Sequence, residues 1–472
     1  MRKKFKSVFL ILFSVFSLSL VYGQEIDTTA RYDQYGQKVD RLPLTAEARN
    51  GIITFESKDK SFKFWTDFRL NFDGGLFFDN YDNSLSPAGP NGNKADAIQL
   101  SNGFHIRRLR MAFKAQVTEK WYGEVDIDYR DAEIDLNDVY VMYSPAKNLD
   151  FKAGHFREPF GMMTNTTSRY VTFMERPASC EFDPSRHLGI AGFYFKPRFT
   201  AGLGIFSDEF LEGVDGGTRD VRRKQRTGTE ASLALTGRFM AFPVNRNDFT
   251  VAIGIGGSYR SPQITDEGAY NVARFKTYDE IRTHQKRFFD TDVISDVQKI
   301  ILSNAEFAFA YKSFRLQSEY HYTIVKRGQI YDDEPKAGLK DAKFDGFYLE
   351  AACFVTGDKQ NFNYEAGEFT RVRPLSKKGA IEVAARYSTI NLNANLGDIN
   401  NPVSVGLGNV VTGGSGALYS LGLTWWAKNN VRIILNGTYV DHDEYAQSKY
   451  NWEVPDGGFD YMWLGSRFEI DF

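Results

Sequence analysis

An all-β chain closed into a transmembrane antiparallel β-barrel of about sixteen strands is what this sequence predicts, and three observations carry it. Short segments of polar–apolar alternation recur along most of the 472 residues. Their apolar faces are rich in aromatics, and Phe, Tyr and Trp together make up 15% of the chain. The connections mostly alternate long and short, the rhythm of a barrel with long loops on one side of a membrane and short turns on the other. Mean hydropathy is −0.40, and no apolar run beyond the N-terminus is long enough for a spanning helix. Alternating strands hide their membrane signal in such an average, so the low value is compatible with a barrel.

The N-terminus reads as a secretory signal. Arg2, Lys3, Lys4 and Lys6 precede an apolar run from Val8 to Val21, and Tyr22-Gly23 offers a small residue before a cut. Residues 1–23 are therefore set apart, with the mature chain expected to begin near Gln24 and, with no Cys after the cut, no lipid anchor. Residues 24–60 are polar and of mixed charge and read as a periplasmic extension; residues 61–472 read as the barrel. A net charge of −2 argues against a nucleic-acid partner. Cys180 lies in a long loop and Cys353 on an apolar strand face, so no disulfide is expected. The six histidines show no metal-ligand spacing, and no cofactor is expected.

The first strand is the clearest. From residue 62 to about 74, Phe62, Phe64, Thr66, Phe68, Leu70 and Phe72 alternate with Lys63, Trp65, Asp67, Arg69, Asn71 and Asp73. After a loop at 75–103, a second strand near 104–117 sets Leu109, Met111, Phe113 and Val117 against Arg108, Arg110, Lys114 and Gln116. A third sets Trp121, Val125, Ile127 and Tyr129 against Tyr122, Glu124, Asp126, Asp128 and Arg130, and a fourth lies near 134–144. Further strands are placed near 188–196, 200–207, 229–240, 248–260, 303–312, 314–324, 343–356, 379–390, 416–427, 430–441 and 459–472. Two connections break the rhythm: the one after the third strand is short, and residues 357–378 are long where a short turn is expected.

The fifth strand opens the stretch around which the chain is organised. Leu149, Phe151 and Ala153 alternate with Asp150, Lys152 and Gly154, and the alternation stops at Pro159-Phe160-Gly161. About thirty residues follow before the next strand, a length that is usually functional when it is ordered. Met162, Met163, Tyr170, Val171, Phe173, Met174 and Phe182 give this loop something to bury. It is therefore expected to fold back into the lumen and narrow it.

These segments resemble the phosphate-selective porins of the O and P type. The similarity is strongest from RRLRMAFKAQV at 107 to MERP at 174, including LNDVYVMY and KAGHFREPFG, and continues in GAIEVAARYS at 379–388 and in a last strand ending at Phe472. The resemblance implies an outer-membrane porin of a Gram-negative bacterium, sixteen-stranded and usually homotrimeric, whose third long loop enters the pore. It also implies lumenal Arg and Lys that bind small anions such as phosphate or polyphosphate. The candidate pore-lining, anion-binding residues are Arg69, Arg108, Arg110 and Lys114 on the first two strands, Lys152 on the fifth, Arg157, Arg169, Arg176 and Arg186 around the long loop, and Arg432 and Arg467 on the last two strands. Glu124, Asp126, Asp128 and Asp138 oppose them on the third and fourth strands, while Glu158, Glu175, Glu181 and Asp183 offset the loop arginines. A general small-solute porin without phosphate selectivity, or a plugged surface-binding barrel, stands as the alternative. The histidines show no grouping with a serine motif, so an enzyme is not expected.

Overall fold

The computed structural model describes residues 31–79, 100–130, 134–207, 233–262, 272–328, 338–446 and 460–472, apart from 33–34, 36, 40–41, 50 and 285. The signal segment 1–23 lies outside the described residues. The chain divides into two compact units, residues 1–45 and 46–472. In the first, Arg31–Tyr32 pairs antiparallel with Lys38–Val39.

The second unit is a closed antiparallel barrel. Among the described residues its sixteen strands are β1 (Phe62–Asp79), β2 (Gly103–Val117), β3 (Trp121–Asp128), β4 (Asp135–Ala146), β5 (Leu149–Arg157), β6 (Arg186–Lys196), β7 (Phe199–Phe206) and β8 (Leu233–Arg246), followed by β9 (Phe249–Ser261), β10 (Val297–Tyr311), β11 (Phe314–Arg327), β12 (Ala342–Phe354), β13 (Ala380–Ala394), β14 (Val411–Lys428), β15 (Val431–His442) and β16 (Asp460–Asp471). Each pairs with its neighbour in sequence. β16 closes on β1 from Tyr461↔Asp79 to Asp471↔Arg69, and the remaining end of β1 pairs with Ile52–Ser57 through Thr54↔Trp65 and Phe55↔Phe64.

The alternation points the unusual way round. On β16, Met462, Leu464 and Phe468 are 41–46% exposed while Trp463, Arg467 and Glu469 are 1–2% exposed. The same inversion leaves Leu421 of β14 69% exposed and Arg432 of β15 2% exposed. A water-soluble sheet does the reverse. An apolar outer band around a polar interior is what a bilayer solvates, and a one-residue register slip would turn it inside out. Exposed Trp121, Tyr194, Tyr311, Phe314, Trp425 and Phe472 cluster at the end of the barrel that carries the short turns, forming one aromatic girdle.

Several strands run past their expected ends on the long-loop side. β1 continues to Asp79, β10 starts at Val297 rather than near 303, β13 reaches Ala394, and β14 starts at Val411. On β10, β13 and β14 the outward residues of these extensions turn polar, as at Lys299, Asn391, Asn393 and Thr412, so the alternation fades before the strand does, whereas β1 keeps Leu76 and Phe78 outward. A β-bulge shifts the β1–β2 register between Asn71↔Arg108 and Phe72↔Ile106. It turns Arg107 and Arg108 inward together.

Candidate functional site

Three segments enter the barrel. The first joins β5 to β6. Its Met162 and Met163 amides donate to the Glu319 carboxylate of β11 at 2.9 and 2.7 Å. The Met174 amide donates to Asn436 of β15 at 2.8 Å. Arg432 donates to the carbonyls of Val171 and Ser168, and Arg386 of β13 stacks on Phe173 at 4.3 Å. These partners stand on the wall opposite β5 and β6, so the segment crosses the inside of the barrel. The turn that starts it needs Gly161, at φ 66°, because a Cβ there would come within 2.7 Å of the Asp183 carboxylate.

The second segment, residues 272–296, joins β9 to β10. Phe275, Ile281, Phe288 and Phe289 bury themselves with Phe182, Leu418, Tyr461 and Trp463 in one apolar cluster. Asp279 accepts from Tyr461 at 2.6 Å, and Glu280 takes Arg386, Ser388 and the Ala178 amide. The third segment is the long turn 355–379 from the opposite end. Its hairpin, Phe362–Asn363 against Glu368–Phe369, is held by Arg238 of β8 through the carbonyls of Ala366 and Gly367 at 3.1 and 2.9 Å. Phe369 packs with Met162 and Met240.

Between β1–β8, the first segment and this hairpin lies a cavity of about 520 Å³, lined by eight basic and seven acidic side chains. Seven of the eleven residues picked out from the sequence face it. Arg110 pairs with Asp128 at 2.8 Å, Lys114 with Asp67 and Glu124 at 3.2 and 3.3 Å, Arg186 with Asp138 at 2.7 Å, and Arg169 with Asp67 and, at 3.1 Å, Asp471. Arg69, Lys152 and Arg157 have no carboxylate within 4 Å among the described residues. Arg69 donates to Ser168 at 2.6 Å and Arg157 to the carbonyls of Asn165 and Thr166. The Lys152 ammonium sits 4.8 Å from the Tyr140 ring centre and 5.2 Å from that of Phe193.

The other four lie apart from the cavity lining. Arg176 donates to the carbonyls of Met163, Thr164 and Thr166. Arg108 lies 3.9 Å from Glu175, Arg432 pairs with Glu469 at 3.0 Å, and Arg467 pairs with Asp73 and Glu175 at 2.7 and 2.8 Å. Sequence reasoning passed over Arg238, Glu365 and Glu368, which line the cavity, and Arg107, which holds Glu175 at 2.6 Å. Arg238 could have been found on the polar face of its strand. Glu365 and Glu368 could have been suspected only from the unusual length of their turn. Burial pushes the Glu368 carboxyl up to about 7, against the pull of nearby Arg157 and Arg238.

Two carboxylate clusters have metal-like spacing, Glu124/Asp126/Asp138 and Asp183/Glu319/His321. Their oxygens are largely engaged already: Asp138 by Arg186, Glu124 by Lys114, Tyr122 and Tyr140, and Glu319 by two backbone amides. His187 pairs with Glu158 at 2.7 Å, His321 with Asp183 at 2.9 Å and His442 with Asp279 at 3.2 Å. Each pair ties an inserted segment to the wall.

Comparison with known proteins agrees with this architecture. The family described as phosphate-selective porin O and P matches residues 81–463. Porin O of Pseudomonas aeruginosa is 23% identical over 400 residues, 81% of this chain and 84% of that protein. The anion-selective porin from Comamonas acidovorans superposes with a TM-score of 0.50 at 11% identity, over 87% of this chain and 100% of that one. The outer-membrane channel DcaP of Acinetobacter baumannii gives 0.48 at 8% identity, over 88% and 99%. An inverted sixteen-stranded barrel with a cavity of about 520 Å³ inside, matched along most of its length, is a Gram-negative outer-membrane porin, and the chain belongs to the phosphate-selective porin O and P family.

Proposed function

We propose that the chain is a passive diffusion channel for small hydrophilic solutes with a modest preference for anions, and that its path runs through the cavity on the β1–β8 side. The near balance of eight basic and seven acidic lining groups carries this reading. Family membership favours phosphate or polyphosphate as solutes. A strongly phosphate-selective pore would replace water around a multiply charged anion with closely set donors, and here most of the lining cations already hold carboxylates. Arg69, Lys152 and Arg157 supply the surplus positive field, and in a narrow pore with low-dielectric walls that field is poorly screened. The native assembly is proposed to be a homotrimer in outer-membrane lipid, as the family resemblance implies.

Purified protein in a planar bilayer under a potassium chloride gradient tests the reading. Stepwise conductance with a small reversal potential of anion-selective sign supports it. Cation selectivity, or a silent bilayer despite folded protein, overturns it. Migration as a heat-sensitive oligomer three times the chain mass checks the assembly.

A further inference from the structure

The cavity wall formed by β4–β6 is not uniformly polar. Tyr140, Met142, Phe193 and Phe195 line it around Lys152. Tyr140 and Phe193 pack on the Phe156 cluster behind them, and all four side chains stay partly open, so together they form a contiguous apolar patch within an otherwise charged lining. Lys152 is an ammonium with no carboxylate within 4 Å among the described residues, and it lies within cation–π range of two of these rings. An anionic group reaching Lys152 therefore brings whatever is attached to it against Phe193 and Phe195.

We infer that the solute this cavity takes best is a small organic monocarboxylate with a ring body, its carboxylate at Lys152 and its ring on Phe193 and Phe195. The inference rests on the channel reading above and specifies its solute. Size agrees, since a volume of about 520 Å³ falls among pockets of roughly 300–1,000 Å³ that accept whole organic ligands. It far exceeds what encloses a bare oxyanion. Charge agrees too: a single negative charge meets less repulsion from the acidic lining groups than a phosphate dianion does. Lys is a point charge suited to one carboxylate, whereas close phosphate recognition favours forked, unengaged guanidinium groups.

Block of the chloride current through single channels separates the possibilities, with benzoate, acetate and inorganic phosphate as probes. Benzoate is expected to reach half-block at about one-tenth the acetate concentration, as one or two ring contacts allow, and below that of phosphate. Phe193→Leu, which keeps apolar bulk on the strand, should shrink the benzoate-to-acetate ratio. Lys152→Gln should weaken both probes together. Equal block by benzoate and acetate, or stronger block by inorganic phosphate, overturns the inference while leaving an anion-preferring channel intact. Absence of any channel current overturns both.

Discussion

Arginine and lysine serve two different purposes on the two sides of this barrel. On the β10–β16 side, Arg315, Arg386, Arg432 and Arg467 are at most 4% exposed, and each meets a carboxylate or an inserted carbonyl. The space around them is filled by the apolar residues of segments 158–185 and 272–296. On the β1–β8 side, Lys152 and Arg157 are half-buried and Arg69 is 6% exposed, and all three line the cavity with no carboxylate within 4 Å among the described residues. All of these residues occupy the same kind of position, the polar face of an alternating strand. The difference is dielectric. An unpaired charge in a packed interior costs several kcal/mol, so every arginine there acquires a partner. Where water remains, a cation without a carboxylate partner is tolerated, and in the proposed channel such cations stand on the side along which solute moves.

The largest expected effect of breaking that contrast is on stability. Arg432→Ala leaves Glu469 buried without its partner and frees the carbonyls of Ser168 and Val171. It should cost about 3–5 kcal/mol. Lys152→Ala on the other side should cost less than about 1 kcal/mol, since no ion pair is lost. Denaturant unfolding of the two variants in lipid vesicles tests the pair of expectations, and equal losses would dissolve the distinction between the two sides. A step down, Leu421→Arg places a cation on the lipid face of β14 and should cost about 2–4 kcal/mol near the midplane. The same assay reads it, and an unperturbed variant would mean that Leu421 does not face lipid.

How much of the contrast the sequence displays follows from the range of the interactions involved. The strands are legible because alternation is local: Phe64 to Phe72 against Lys63 to Asp73 needs no partner to be seen. The inserted β5–β6 segment is legible from its length and its methionines and phenylalanines. The pairing of cations is not. Glu280 lies 106 residues from Arg386, and Asp73 lies 394 from Arg467. Nothing local to Arg432 distinguishes it from Lys152. The bulge that turns Arg107 inward beside Arg108 leaves a local trace, the paired arginines between Ile106 and Leu109 that break the alternation, but nothing in that trace says that both reach Glu175. The turn 355–379 announces itself only as an excess of length, with no hint that its hairpin reaches Arg238.

That hairpin sharpens the comparison on the cavity side. Replacing Phe362–Phe369 with a short Gly-Ser turn removes Asn363, Glu365, Ala366 and Glu368 from the cavity lining. Single-channel conductance should rise without loss of the packed side, whose apolar cluster does not include the hairpin. Unchanged conductance in a folded variant would mean that the path lies elsewhere.

The smallest effect is a shift in ion preference with pH, and it isolates one group. Glu368 is held at about 7 by burial on the hairpin, above the ordinary glutamate value of about 4.3. As pH falls through that value the carboxylate takes a proton and the cavity loses one negative charge. With basic and acidic lining groups otherwise nearly balanced, the loss of one negative charge changes the net charge appreciably. Anion preference should therefore increase from about pH 8 to about pH 6, read as a reversal potential under a salt gradient. Glu368→Gln should give at about pH 8 what the unaltered protein gives at about pH 6, and should flatten the dependence between them. The shift should fade near 1 M salt, where the screening length is about 3 Å. A pH dependence that survives in Glu368→Gln would place the titrating group elsewhere in the lumen, with Glu181 of the β5–β6 segment, also raised to about 7 by burial, as the next to replace.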